Sequence, residues 1–83
     1  MTTKEDILQL ICRHTQEVVP HLANHQFCES DQLALLGATS IDRAEIVIMV
    51  QESLRLSIPR VELFGPRNIG ELASLFFAKI HAA

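Results

Sequence analysis

Apolar residues recur at three- and four-residue spacing in three stretches, each opened by a capping residue and closed by proline or by the chain's end, and this punctuation restricts the 83 residues to helices. Thr2 or Thr3, with Glu5 or Asp6 three residues on, reads as a reciprocal cap before Ile7, Ile11, Thr15 and Val18. Pro20 stops that helix at or just before Val19. A second helix runs from Ser40 to about Leu54 and ends before Ile58-Pro59. Residues 59–64 suit a short helix with proline in its first position, where a missing amide costs little. Gly65-Pro66 breaks the chain, and Asn68 with Glu71 caps a last helix whose stripe is Ile69, Leu72, Ala73, Phe76 and Ile80. No alternating run proposes a strand. The reading is all-α, three longer helices and one short one. Between Pro20 and Thr39 lies a long connection in which Leu33, Leu35 and Leu36 are spaced to pin the loop onto the core.

A chain this short, with 48% apolar residues, fills one core and leaves no room for a second lobe or a deep catalytic cleft, so residues 1–83 read as one domain. Seven basic and ten acidic side chains leave a charge of −3, which disfavours nucleic acid and favours partners with basic surfaces. The longest apolar run, Ile46-Val47-Ile48-Met49-Val50, is too short to cross a bilayer, and the first residues lack the pattern of a signal peptide. The expectation is a cytoplasmic monomer without membrane contact. Cys12 and Cys28, sixteen apart, match neither a disulfide framework nor a zinc spacing and read as reduced thiols. His21 and His25 are four apart but lack a third ligand, so they read as surface histidines and no metal is expected.

Ser40 stands at the mouth of the second helix, directly after the glycine-bearing turn Leu36-Gly37-Ala38-Thr39. First-turn amides have no partner within a helix and the macrodipole makes that end electropositive, so a phosphate-linked group on this hydroxyl would be held favourably. Serine in this place also reads as an ordinary N-cap. No neighbouring histidine activates it, and the turn lacks the second glycine of a nucleophile elbow, so a serine hydrolase is poorly supported.

The second helix has apolar residues on two sides. Ile46, Val47, Val50 and Leu54 form the stripe that faces a core, whereas Ile41, Ala44 and Ile48 lie opposite among Glu45, Glu52 and Arg55. Aliphatic groups set among acids suit a transient docking face, in which charge speeds encounter and the aliphatic groups supply grip. Scattered surface hydrophobic residues would give the same pattern.

The stretch Leu36-Gly37-Ala38-Thr39-Ser40-Ile41-Asp42-Arg43-Ala44-Glu45-Ile46-Val47, followed by Ile58-Pro59 and a closing amphipathic helix, resembles an acyl carrier protein over nearly the whole chain. The resemblance implies a serine esterified by the 4'-phosphopantetheine arm of coenzyme A, here Ser40, installed by a separate phosphopantetheinyl transferase, and a protein that is not itself an enzyme. It implies recognition through Asp42, Glu45, Ile48 and Glu52 on the second helix, and through Val61 on the short one. Thr39 departs from the family's aspartate before the serine, which implies slower or choosier loading. Ile41 replaces a leucine conservatively. Arg43, three residues after the serine, is placed to reach the arm's phosphate or Asp31, or to be exposed or paired with the loop.

Together with Ile58-Pro59-Arg60-Val61-Glu62-Leu63-Phe64-Gly65-Pro66-Arg67-Asn68-Ile69-Gly70-Glu71-Leu72-Ala73, the sequence is most similar to the stand-alone donor carriers of polyketide β-branching cassettes. That subgroup implies malonyl loading by an acyltransferase, decarboxylation by a ketosynthase-like enzyme, and delivery of acetyl to a hydroxymethylglutaryl-synthase-like enzyme. Arg43, Arg60, Val61 and Phe64 are then the candidates for partner selectivity. A generic fatty-acid, polyketide or peptidyl carrier, and a non-carrier helical adaptor, are the alternatives.

Overall fold

Thr3 starts the first helix by a reciprocal pair of bonds: its hydroxyl accepts from the Asp6 amide at 3.1 Å, and the Asp6 carboxylate accepts from the Thr3 amide at 3.0 Å. Of the two sequence options, Thr3 and Asp6 therefore form the cap. The computed structural model describes residues 2–82, so Met1 and Ala83, the ends of the expected domain, lie outside it. Helix α1 spans Lys4–Val18, α2 spans Ser40–Leu54 and α3 spans Ile69–His81, and no strand occurs among the described residues.

The short elements differ in part from expectation. Residues Arg60–Phe64 form a 3₁₀ helix with Pro59 just outside it as the capping residue, not as its first helical residue. A further 3₁₀ turn, Pro20–Leu22, follows α1 where the sequence reading has only loop. Its proline lacks the amide an α-helix would need, and three residues suffice for the tighter turn.

Helix α1 packs against both α2 and α3. Ile7 and Ile11 of α1, Ile46 and Val50 of α2, and Ile69, Ala73 and Phe76 of α3 are sealed between them. Each of these side chains except that of Ala73 contributes roughly 1.5–3 kcal/mol by leaving water. Thr15 is also fully buried, and its hydroxyl is satisfied by donating to the Ile11 carbonyl at 2.7 Å. Val47, Leu54 and Ile80 complete the stripes as half-buried flanks.

The loop before α2 is anchored more selectively than its leucine spacing implies. Leu33 is buried and Leu36 half-buried, but Leu35 is 79% exposed. A turn over residues 33–37 explains the split: Ala38 donates to the Leu33 carbonyl and Gly37 closes the turn at φ +97, a conformation that strains any residue with a Cβ. The other end of the loop is tied to α3. The amides of Ile69 and Gly70 donate to the carbonyls of Asp31 and Glu29 at 3.0 and 2.9 Å. This approach leaves no space for a side chain at residue 70, where a Cβ would lie 2.9 Å from that of Glu29.

Candidate functional site

Ser40 is the first residue of α2, and the cap before it belongs to Thr39. The Thr39 hydroxyl accepts from the Asp42 amide at 3.1 Å while the Asp42 carboxylate accepts from the Thr39 amide at 3.0 Å. The N-cap reading of Ser40 is thereby corrected: the preceding residue already supplies that bond. Ser40 is exposed, and no hydrogen bond occupies its hydroxyl among the described residues. A serine so placed has an accessible oxygen and no structural task, which fits a point of covalent attachment. Thr39, where the family has aspartate, keeps the capping chemistry, since both residue types cap well.

The turn behind Ser40 is held from an unexpected side. His21 donates from Nε2 to the Leu36 carbonyl at 3.1 Å, and its ring lies where a Cβ on Gly37 would meet it at 3.2 Å. His21 thus braces the glycine turn. His25 donates to the Asp31 carboxylate at 3.0 Å, and no cluster of three metal-binding side chains occurs among the described residues.

Arg43 does not reach Asp31. Its guanidinium donates to the Ala38 carbonyl at 2.8 Å, closing the loop onto the first turn of α2. Asp31 instead accepts from the Cys28 amide at 2.8 Å and from His25, and these two bonds, the amide's first, hold its carboxyl below the ordinary range. Asp42 is likewise bonded in the cap and partly buried.

Beyond Ser40, Ala44, Glu45 and Glu52 are exposed, as are Ile41 (78%) and Ile48 (55%). On the 3₁₀ helix, Arg60 is exposed, with Val61 at 75% and Phe64 at 79%. Leu35 joins this set of large exposed hydrophobic residues, and the sequence reading missed it by assigning it to the core. Between α2, the 3₁₀ helix and the start of α3 lies an open groove of about 770 Å³, with Ser40 on its lining. Val47, Leu63 and Leu72 give it apolar walls, while Arg43, Arg60 and Arg67 bring positive charge. Arg67 too was missed, because its proline-flanked position carries no periodicity.

Two other groupings are chemically weaker. His14 bridges Glu17, at 2.7 Å from Nδ1, and Ser53, at 2.9 Å from Nε2, in the order of a charge relay. Ser53 lies in the last turn of α2, where the macrodipole opposes an oxyanion, so the arrangement serves as a tie between helices. Cys12 and Cys28 both line an open cleft of about 610 Å³ beside α1 and are free thiols. Burial, with Asp31 and Glu5 adding to it, pushes the Cys12 thiol up and away from the reactive thiolate.

The family model for the phosphopantetheine attachment site matches residues 5–76. The chain is an acyl carrier protein. The carrier family bears 4'-phosphopantetheine, and the free Ser40 hydroxyl beside a groove with cationic and apolar walls fits such a group. This carrier is 49% identical over 80 residues to the polyketide biosynthesis acyl-carrier-protein AcpK of Bacillus subtilis (strain 168), covering 96% of this chain and 98% of that one. It also matches a chain of the crystal structure of the curacin biosynthetic pathway HMG synthase in complex with acetyl donor-ACP. There the TM-score is 0.89 at 49% identity, with 94% of this chain and 100% of that chain covered. No helix among the described residues is long and apolar enough to cross a membrane.

Proposed function

We propose that this carrier bears its phosphopantetheine arm on Ser40 and presents acetyl, made there from malonyl, to a hydroxymethylglutaryl-synthase-like enzyme in polyketide β-branching. The observation that carries the reading is the exposed Ser40 hydroxyl, left free because Thr39 caps α2, at the head of a helix whose outer side is aliphatic and acidic. The likeness to AcpK and to the donor carrier of the curacin complex supports the pathway role.

The arm, when bound, supplies a thiol that holds the acyl group as an activated thioester. The chain's own residues position that attachment and recognise partners. The Thr39–Asp42 cap and the Arg43–Ala38 bond hold the first turn of α2, so the Ser40 oxygen projects from a rigid helix end. Ile41, Ala44 and Ile48 supply apolar contact, and Glu45 and Glu52 supply charge, for a phosphopantetheinyl transferase, an acyltransferase, a decarboxylating ketosynthase-like enzyme and the synthase in turn. Arg60, Val61 and Phe64 add a second edge through which those partners are told apart. In this reading residues 1–83 act as one monomeric cytoplasmic carrier domain that delivers the group at high local concentration and catalyses nothing itself.

The test is to co-express the chain with a broad phosphopantetheinyl transferase and weigh it intact, alone and as Ser40→Ala. The wild type is expected to gain the mass of one arm and the variant none. An unmodified wild type, or a variant that still gains the arm, overturns the assignment. Malonyl-loaded carrier is then given to the decarboxylase and synthase, and failure of acetyl transfer with a competent synthase would remove the donor role.

A further inference from the structure

The groove beside Ser40 has an unusual charge balance for a chain with a net charge of −3. Arg43, Arg60 and Arg67 line it, and among the described residues no aspartate or glutamate does. The acids nearest Arg60 and Arg67 in sequence each have another bond: Glu62 pairs with Lys79 on α3, and the Glu71 carboxylate accepts from the Arg67 backbone amide at 3.0 Å. None of the ion pairs among the described residues uses any of the three arginines. Arg43 has one donor committed to the Ala38 carbonyl, whereas the guanidinium groups of Arg60 and Arg67 make no hydrogen bond among the described residues. Nor do backbone amides at the start of α3 stand open to an anion, since those of Ile69, Gly70 and Glu71 are already bonded. The positive character of this end of the groove therefore comes from two side chains whose planar donors match a carboxylate.

A saturated acyl chain needs only the apolar walls, and two unpartnered guanidinium groups add nothing to its binding. A short acyl group ending in a carboxylate uses both features, and a cavity of about 770 Å³ is ample for it and part of its tether. We infer that Arg60 and Arg67 hold, within the same molecule, the free carboxylate of a short dicarboxylic acyl thioester carried on Ser40, malonyl being the smallest. The carrier thereby distinguishes the carboxylated group from its decarboxylated product before any partner docks: the former is retained in the groove by charge, the latter is released from it. The inference rests on the assignment of the arm to Ser40.

The carboxyl's own titration provides the test. The wild type, Arg60→Gln/Arg67→Gln and Ser40→Ala are treated with a transferase and malonyl-coenzyme A labelled with carbon-13 at the free carboxyl. Each protein is weighed intact, and the labelled carbon of each one that gains the malonyl arm is titrated by NMR, with free malonyl-coenzyme A as reference. A carboxylate beside two guanidinium groups is expected to titrate about one unit below the reference. A carboxylate left in solvent near this acidic chain would titrate at or above it, so the sign discriminates. The double substitution should return the value to the reference, and high salt should shrink the wild-type shift. Both arginines are exposed, and circular dichroism checks that the variant retains its helices.

A wild-type value at or above the reference overturns the inference, as does a lowered value that survives the double substitution. If the double variant loses synthase binding while the carboxyl value never moved, the arginines serve an acidic partner surface and the inference fails. A malonyl mass gain that persists in Ser40→Ala removes the attachment assignment and the inference with it. Loss of that gain with an unshifted carboxyl removes the inference alone.

Discussion

At the scale of single residues, the decisive pair is Thr39 and Ser40, because adjacent hydroxyls at one helix end do different work. Thr39 accepts the Asp42 amide, so Thr39→Ala should cost about 1 kcal/mol of stability, read as a lower urea midpoint. Thr39→Asp should lose little, because aspartate caps equally well. Ser40→Ala should leave the midpoint within about 0.5 kcal/mol of wild type, as expected of an exposed side chain with no bond to lose. A large loss in Ser40→Ala would show that its hydroxyl has a structural role after all. The choice between these two residues was open in the sequence, where either can cap. It was settled by which of them has extended backbone, and Thr39 does, at φ −72 and ψ 171.

At the scale of elements, the three helices were legible because their signals are local. Caps join residues three apart, and the stripes of α1 and α3 follow from a repeat of three and four. Even so, the box expected at α3 forms only in part: Asn68 accepts the Glu71 amide at 2.8 Å, but Glu71 returns its carboxylate to Arg67 rather than to Asn68. The long loop was less legible. Leu33 and Leu35 are equivalent by hydropathy, and the turn closed by Gly37 decides that one enters the core and the other faces solvent.

That loop also has a pH signature. Asp31 gains two hydrogen bonds on folding and its carboxyl is lowered, so it contributes stability above its unfolded value of about 4 and loses that contribution as the pH falls through the folded value. Asp6, lowered by the Thr3 amide and hydroxyl, acts in the same direction at the start of α1. Urea midpoints measured from pH 6 down to about pH 3 should fall for the wild type and fall less steeply for Asp31→Asn. Parallel curves would show that Asp31 is not a contributor.

At the scale of the whole molecule, acidic and basic groups flank different parts of the exposed hydrophobic surface. Glu45 and Glu52 are exposed on the same helix as Ile41 and Ile48, while Arg43, Arg60 and Arg67 line the groove that α2 forms with the segments after it. Charge reversal to Glu45→Lys or Glu52→Lys should weaken transfer to the synthase a few-fold each, with thermal stability nearly unchanged and with the difference fading as salt rises. Undiminished transfer at low salt would move the docking surface elsewhere, with Leu35, Val61 and Phe64 next to be replaced.

The three longer helices and the serine at the head of the second were legible in the sequence, because each depends on residues within one or two turns of each other; which residue caps the first and second helices was not. Tertiary structure alone decided that Arg43 closes on Ala38 rather than Asp31, that His21 braces Gly37, and that Arg60 and Arg67 meet Ser40 along one groove. The first two follow from the turn that Gly37 closes before α2, and the third from how α2, the 3₁₀ helix and the start of α3 come together; no periodicity in the chain records either.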